Sequence, residues 1–203
     1  MDQKTEENLS TLCEEAKKLG AIDAKAIKAS DIIVDPRVNL KCRVPICGFY
    51  GNSFMCPPHV MSASEFQEIV SKYSYAVIIQ DVKSFKDDVT QNKDDFAEVF
   101  KDKSYQKSLL SAAKEFGEII NKIESKCFGL GYRFAAGFGA GTCGLCEECA
   151  VKIPGETCRH PFKARPSMEA VGIDVFSTAE RAGFKADTPT MDKVTIYGIV
   201  LVN

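Results

Sequence analysis

The sequence predicts an α/β fold, a single domain over residues 1–203 with a central mixed sheet flanked by helices and two cysteine-rich, metal-binding loops. Three observations predict it. Short β-branched runs alternate with amphipathic stretches along the chain. A length of 203 residues, with 45% apolar and 27% charged residues, is enough to bury one core without covalent staples. Seven of the nine cysteines fall into two tight groups, each in a stretch rich in turn and breaker residues.

The elements follow in order. Residues 5–19 place Leu9, Leu12, Cys13, Ala16 and Leu19 at helical spacing, with Gly20 as a stop. Ala24 to Val34 reads as a strand, and residues 36–60 as a loop holding the first cysteine group. Ser62-Ala-Ser-Glu65 is a capping-box pattern for a helix facing inward with Phe66, Ile69, Val70 and Tyr73. Tyr75 to Gln80 reads as a buried strand, and the charged stretch 83–104 as a solvated excursion. A long amphipathic helix covers Tyr105 to Phe128, with Leu109, Leu110, Ala113, Phe116, Ile119, Ile120 and Ile123 inward. Tyr132 to Ala136 is a candidate strand running into a glycine-rich segment and the second cysteine group. A helix from about Ser167 and a strand from Val194 to Val202 close the chain. Both cysteine loops follow predicted strands, where sites of such sheets usually lie, so the two groups are expected to converge on one edge.

Composition excludes several functions. A formal net charge of −2 gives no overall attraction to nucleic acid or to a membrane surface. The polar, acidic start is no secretory signal, and no apolar run approaches the roughly 18 residues of a membrane span. A cytoplasmic protein is the expectation. There disulfides are rare, and clustered cysteines bind metal or do chemistry.

The second group reads Cys143-Gly-Leu-Cys146-Glu-Glu-Cys149, then eight residues, then Cys158. Three thiolates at a repeat of three wrap one corner of a compact centre and a distant fourth closes it, the spacing of a [4Fe–4S] site. Zinc is the alternative, although zinc sites usually draw two CxxC-like pairs from separated segments. Gly137, Gly139 and Gly141 precede the group and let backbone N–H groups approach cluster sulfurs. Their GxGxG spacing, with cysteines where a phosphate-binding helix would begin, speaks against a nucleotide loop. Arg159, His160, Lys163 and Arg165 follow Cys158; they offset cluster charge or form a docking patch.

The first group, Cys42, Cys47 and Cys56, offers three thiolates and ends in Pro57-Pro58-His59. It could hold a cluster with one iron open to a ligand. A fourth ligand could instead come from His59, Cys13, Cys127 or another subunit. Cys13 and Cys127 sit on helical apolar stripes and read as core residues. An internal parallel links the groups: Cys47 and Cys56, like Cys149 and Cys158, are separated by eight residues, with proline and histidine soon after.

The pattern C-x4-C-x8-C-P-P, then C-x2-C-x2-C-x8-C-R-x-P and Arg165-Pro166-Ser167-Met168-Glu169-Ala170-x-Gly172-Ile173-Asp174, resembles a prokaryotic family of predicted metal-binding proteins (domain of unknown function 2284). The resemblance spans Lys41 to the last strand. It implies that Cys42, Cys47, Cys56, Cys143, Cys146, Cys149 and Cys158 are the metal-binding set, and that Cys13 and Cys127 are not. It supplies no reaction. The Arg-Pro-Ser-Met-Glu-Ala segment reads physically as a helix start capped by Ser167, with Glu169 either supporting a ligand or serving the fold.

Three functional readings follow. The first is a carrier of one or two [4Fe–4S] clusters, passing electrons to a redox partner protein or serving as an accessory to an enzyme. The second is an enzyme that binds a small-molecule substrate at an open iron of the three-cysteine cluster. The third is a zinc-stabilised adaptor without redox role. No general-base pair, nucleophile–histidine arrangement or nucleotide motif specifies a reaction.

Overall fold

The computed structural model of this chain describes residues 2–44, 47–84, 102–185 and 193–203. Helix α1 (Gln3–Lys18) starts at Asp2, whose side chain accepts the Thr5 N–H at 2.9 Å. It buries Leu9, Leu12, Cys13 and Ala16, the stripe set by helical spacing. Strand β1 (Asp23–Lys28) pairs antiparallel with β2 (Tyr75–Ser84), from Asp23 opposite Gln80 to Lys28 opposite Tyr75. Strand β3 (Ala136–Phe138) and strand β4 (Lys193–Val202) complete a four-stranded sheet of order β1-β2-β4-β3.

The α/β architecture is as predicted, but the sheet is antiparallel at every strand pair and not mixed. Alternation of strand and helix fixes strand direction only where a single helix makes the crossover. Here the β1–β2 connection also holds the first cysteine loop, a short helix α2 (Leu40–Arg43) and helix α3 (Ala63–Val70), so it can return in either sense. A lone parallel bridge joins Gly139 to Ser167 outside the named strands.

Alternation along the central strands sends side chains to two cores. Ala76, Ile78, Ile199 and Leu201 face α3 and helix α5 (Val175–Arg181), meeting Phe66, Val70, Val171 and Ala179. Val77, Ile79, Val200 and Val202 face α1 and the long helix α4 (Lys103–Gly129), meeting Leu9, Leu12, Phe116, Ile120 and Ile123. Gly137 on β3 is a point of close approach. A Cβ there would lie 2.6 Å from Ile120 Cγ2 and 2.8 Å from Glu124 Oε2.

Several boundaries differ from the sequence expectation. The first strand stops at Lys28; a 3-10 turn over Ala29–Asp31 follows, and Val34 makes only an isolated bridge with Ile173. The capping box of α3 is formed, with Glu65 N–H donating to Ser62 Oγ at 3.3 Å and Ser62 N–H to Glu65 Oε2 at 2.7 Å. Ile69, expected inward, is 40% exposed, because Ala63, Phe66 and Val70 define the buried stripe. Leu109 and Leu110 are half-buried. The third strand begins only at Ala136, the last residue of the segment expected for it, and Phe134 is exposed. Past Ser167 there is a 3-10 turn, Glu169–Val171, ended by Gly172 at φ +87°. Only then does α5 start, with Asp174 accepting the Ser177 N–H. The charged stretch 83–104 lies mostly outside the described residues. Among the described residues no helix is long and apolar enough to cross a membrane.

Candidate metal centre

The second cysteine loop leaves the edge strand β3 and returns beside it. Its neck is closed by two backbone bonds, Gly139 N–H to the Pro166 carbonyl at 2.9 Å and Met168 N–H to the Gly139 carbonyl at 3.0 Å. A buried ion pair backs the neck. Arg165 grips Glu124 of α4 through two bonds, Nη2 to Oε1 at 2.6 Å and Nε to Oε2 at 2.9 Å. The Gly137 N–H donates to the same Oε2 at 2.6 Å, so one carboxylate ties helix, strand and loop together. The missing side chain at Gly137 makes that approach possible.

Within this loop Cys143, Cys146, Cys149 and Cys158 line one small cleft, together with Ala150, Arg159, His160 and Ala164. The cleft is completed by Ser53, Phe54 and Met55 of the first cysteine loop. Burial pushes the Cys143 thiol above its ordinary range; the thiols of Cys158, Cys146 and Cys149 add to this, while the Leu145 backbone works against it. The His160 N–H points to Cys158 Sγ at 3.4 Å. Both backbone contacts to sulfur come from residues of the cysteine loop itself and not from Gly137, Gly139 or Gly141.

The first loop is a series of tight turns. Cys47 N–H bonds the Cys42 carbonyl at 3.1 Å, Cys56 N–H the Ser53 carbonyl at 3.1 Å, and His59 N–H the Cys56 carbonyl at 3.0 Å. Gly51 N–H reaches the Pro57 carbonyl at 2.9 Å and closes the turn. Cys56 is buried, and its sulfur lies 3.4 Å from Thr142 Oγ1, the residue just before Cys143. Burial raises the Cys56 thiol, the hydroxyls of Thr142 and Ser53 lower it, and the charges of Cys47 and Cys149 raise it further. Cys56 therefore stands between the two groups, and the loops meet at the β3 edge of the sheet. Burial also raises the Cys42 thiol, followed by the charges of Cys47, Cys56 and Glu169.

Other candidates lie elsewhere. Cys13 and Cys127 are buried in the apolar cluster with Leu9, Leu12 and Ile123, and desolvation drives their thiols up to about 11 and about 12. His59 is exposed, its ring edge-on to Phe54 and its Nε2 3.4 Å from the Gly51 carbonyl. Of the basic run, Arg165 is committed to Glu124, and Arg159 donates to the Glu148 carbonyl at 3.0 Å. The sequence reading missed Thr142, Ser53 and the Glu124–Arg165 pair. Glu124 had a signal: a carboxylate beside Ile120 and Ile123 on the apolar stripe of a helix requires a buried partner.

All nine cysteines are free. Among the described residues no three His, Cys, Asp or Glu side chains are already drawn together as ligands of one ion would be; the four thiols are spread along the walls of their cleft. Thiols are the donor type that iron–sulfur clusters and zinc select, so the donor set fits either centre. A family model described as predicted metal-binding protein (DUF2284) matches residues 25–202. No curated protein and no solved structure matches. With both cysteine loops inside the matched span, the chain belongs to the DUF2284 family of predicted metal-binding proteins.

Proposed function

We propose that Cys143, Cys146, Cys149 and Cys158 hold a [4Fe–4S] cluster, that Cys42, Cys47 and Cys56 hold a second metal centre beside it, and that the protein is a cytosolic redox carrier or an accessory to a redox enzyme. The observation that carries this reading is the convergence of four thiols from one loop on a single cleft walled by the other loop. A [4Fe–4S] cube carries its four irons at alternate corners, each taking one thiolate, so it suits thiols distributed around a cleft. Its sulfides would meet backbone N–H groups and the small residues Ala150 and Ala164. Free cysteines throughout fit a reducing compartment. Cys56 at the junction gives two centres a short path for an electron to cross, which favours a carrier over a purely structural role.

Anaerobic purification followed by iron, sulfide and zinc analysis tests the proposal. Brown protein with acid-labile sulfide is expected, with one cube's worth of iron and sulfide lost in Cys143→Ser. Colourless protein holding stoichiometric zinc and no sulfide would refute it. Reduction should give an EPR signal that a small-molecule ligand does not alter, whereas a ligand-dependent spectrum would point to an open iron and to catalysis.

A further inference from the structure

The first cysteine group has three thiols, and near it the structure places a carboxylate that is only partly satisfied, hydrogen-bonded by the Ser167 side chain and by its own backbone. Glu169 begins the 3-10 turn after the second loop, and its Oε2 is buried without a hydrogen-bond partner. A buried carboxylate oxygen left unpaired is costly, and such a group in a folded protein calls for an explanation such as a bound ion. Glu124 shows how this chain otherwise treats a buried carboxylate: both of its oxygens are bonded, to Arg165 and to the Gly137 N–H.

The turn that carries Glu169 is held against the segment leading into the first loop. Asn39, three residues before Cys42, donates its side-chain amide to the Glu169 and Ala170 carbonyls at 3.1 and 3.3 Å. That clamp fixes the turn against the segment carrying Cys42, and the charge of Glu169 reaches the Cys42 thiol. Gly172 pins the other end of the turn. A Cβ there would fall 2.5 Å from Ala63 Cβ. The turn is thus held on both sides of the carboxylate, as a ligand position should be.

We propose that the Glu169 carboxylate is the fourth protein ligand of the metal held by Cys42, Cys47 and Cys56. The inference rests on the reading of those cysteines as a metal site. A set of three thiolates and one carboxylate oxygen is suited to iron or zinc. Binding takes these donors in their deprotonated forms, any protons they carry going to solvent, and the metal takes the place that no donor fills at Oε2.

The test compares Glu169→Gln, Glu169→Ala and Cys56→Ser with the unaltered full-length chain after anaerobic reconstitution with ferrous iron and sulfide. The readouts are metal per chain, the rate of iron transfer to a ferrous chelator, and the EPR spectrum. We expect Cys56→Ser to lose the second centre. Both Glu169 variants should release that same fraction of iron about tenfold faster or more, and change its spectrum. Using two variants guards against a folding defect in either, with melting of the metal-free proteins as the control. If Cys56→Ser loses metal but both folded Glu169 variants keep the unaltered chain's release rate and spectrum, the fourth ligand is not Glu169, although the site stands. If Cys56→Ser retains full metal, the site itself is refuted.

Discussion

At the scale of single residues, packing in the apolar core sets two of the nine cysteines apart. Cys13 and Cys127 lie in the core between α1 and α4, with thiols near 11 and 12, so they remain protonated at neutral pH. Nucleophilic attack requires thiolate and access, and these two have neither. In metal-free folded protein, brief alkylation at pH 8 should label Cys42, Cys47, Cys143, Cys146, Cys149 and Cys158 and spare Cys13 and Cys127. Peptide mass spectrometry before and after denaturation reads this directly; early labelling of Cys127 would contradict the packing. The same shifts have a consequence for stability. In the unfolded chain these thiols ionise near pH 8.5, while in the folded chain they keep their protons to higher pH. The unfolded state therefore sheds protons first, and stability should fall as pH rises above about 8.5 toward 11. A denaturant midpoint measured at pH 7.5 and at pH 10 gives the sign.

At the scale of elements, the turn that carries Glu169 depends on Gly172. Its φ of +87° lies where a side chain is strained, and Ala63 of α3 fills the space a Cβ would need. The Gly172 carbonyl also accepts the Asp35 N–H at 2.8 Å, joining the turn to the start of the first loop. Gly172→Ala should cost about 1–3 kcal/mol, combining left-handed strain with overpacking. Thermal melting checks the magnitude. The position of the turn predicts more: metal retention at Cys42, Cys47 and Cys56 should fall, while the four-cysteine centre is little affected. Equal loss at both centres would mean that the turn serves only the general fold.

At the scale of the whole molecule, the core and the candidate centre are built from different parts. The two apolar clusters draw on α1, α3, α4, α5 and the sheet, and of the seven grouped cysteines only Cys56 is buried. The metal-free chain should therefore keep its far-UV circular dichroism and melt cooperatively. Loading metal should raise the melting temperature by mass action and slow amide exchange in segments 47–60 and 140–166. Loss of exchange protection in β2 or β4 on metal removal would show that the metal instead supports the sheet.

What could be read from the sequence follows physical range. Helical spacing marked the buried faces of α1 and α4, the Ser62–Glu65 pattern marked the start of α3, and the cysteine spacing marked the two loops, because each is a relation between residues a few positions apart. The antiparallel sense of the sheet, the late start of β3 and the exposure of Ile69 were decided by packing between distant segments. The same holds at the site. Sequence by itself determined a metal-binding family member with four thiols in one group and three in another. Only the tertiary structure brought Cys56 to Thr142, paired Glu124 with Arg165 and set Glu169 against the Cys42 segment, because these contacts join residues dozens of positions apart and depend on how the sheet edge is assembled.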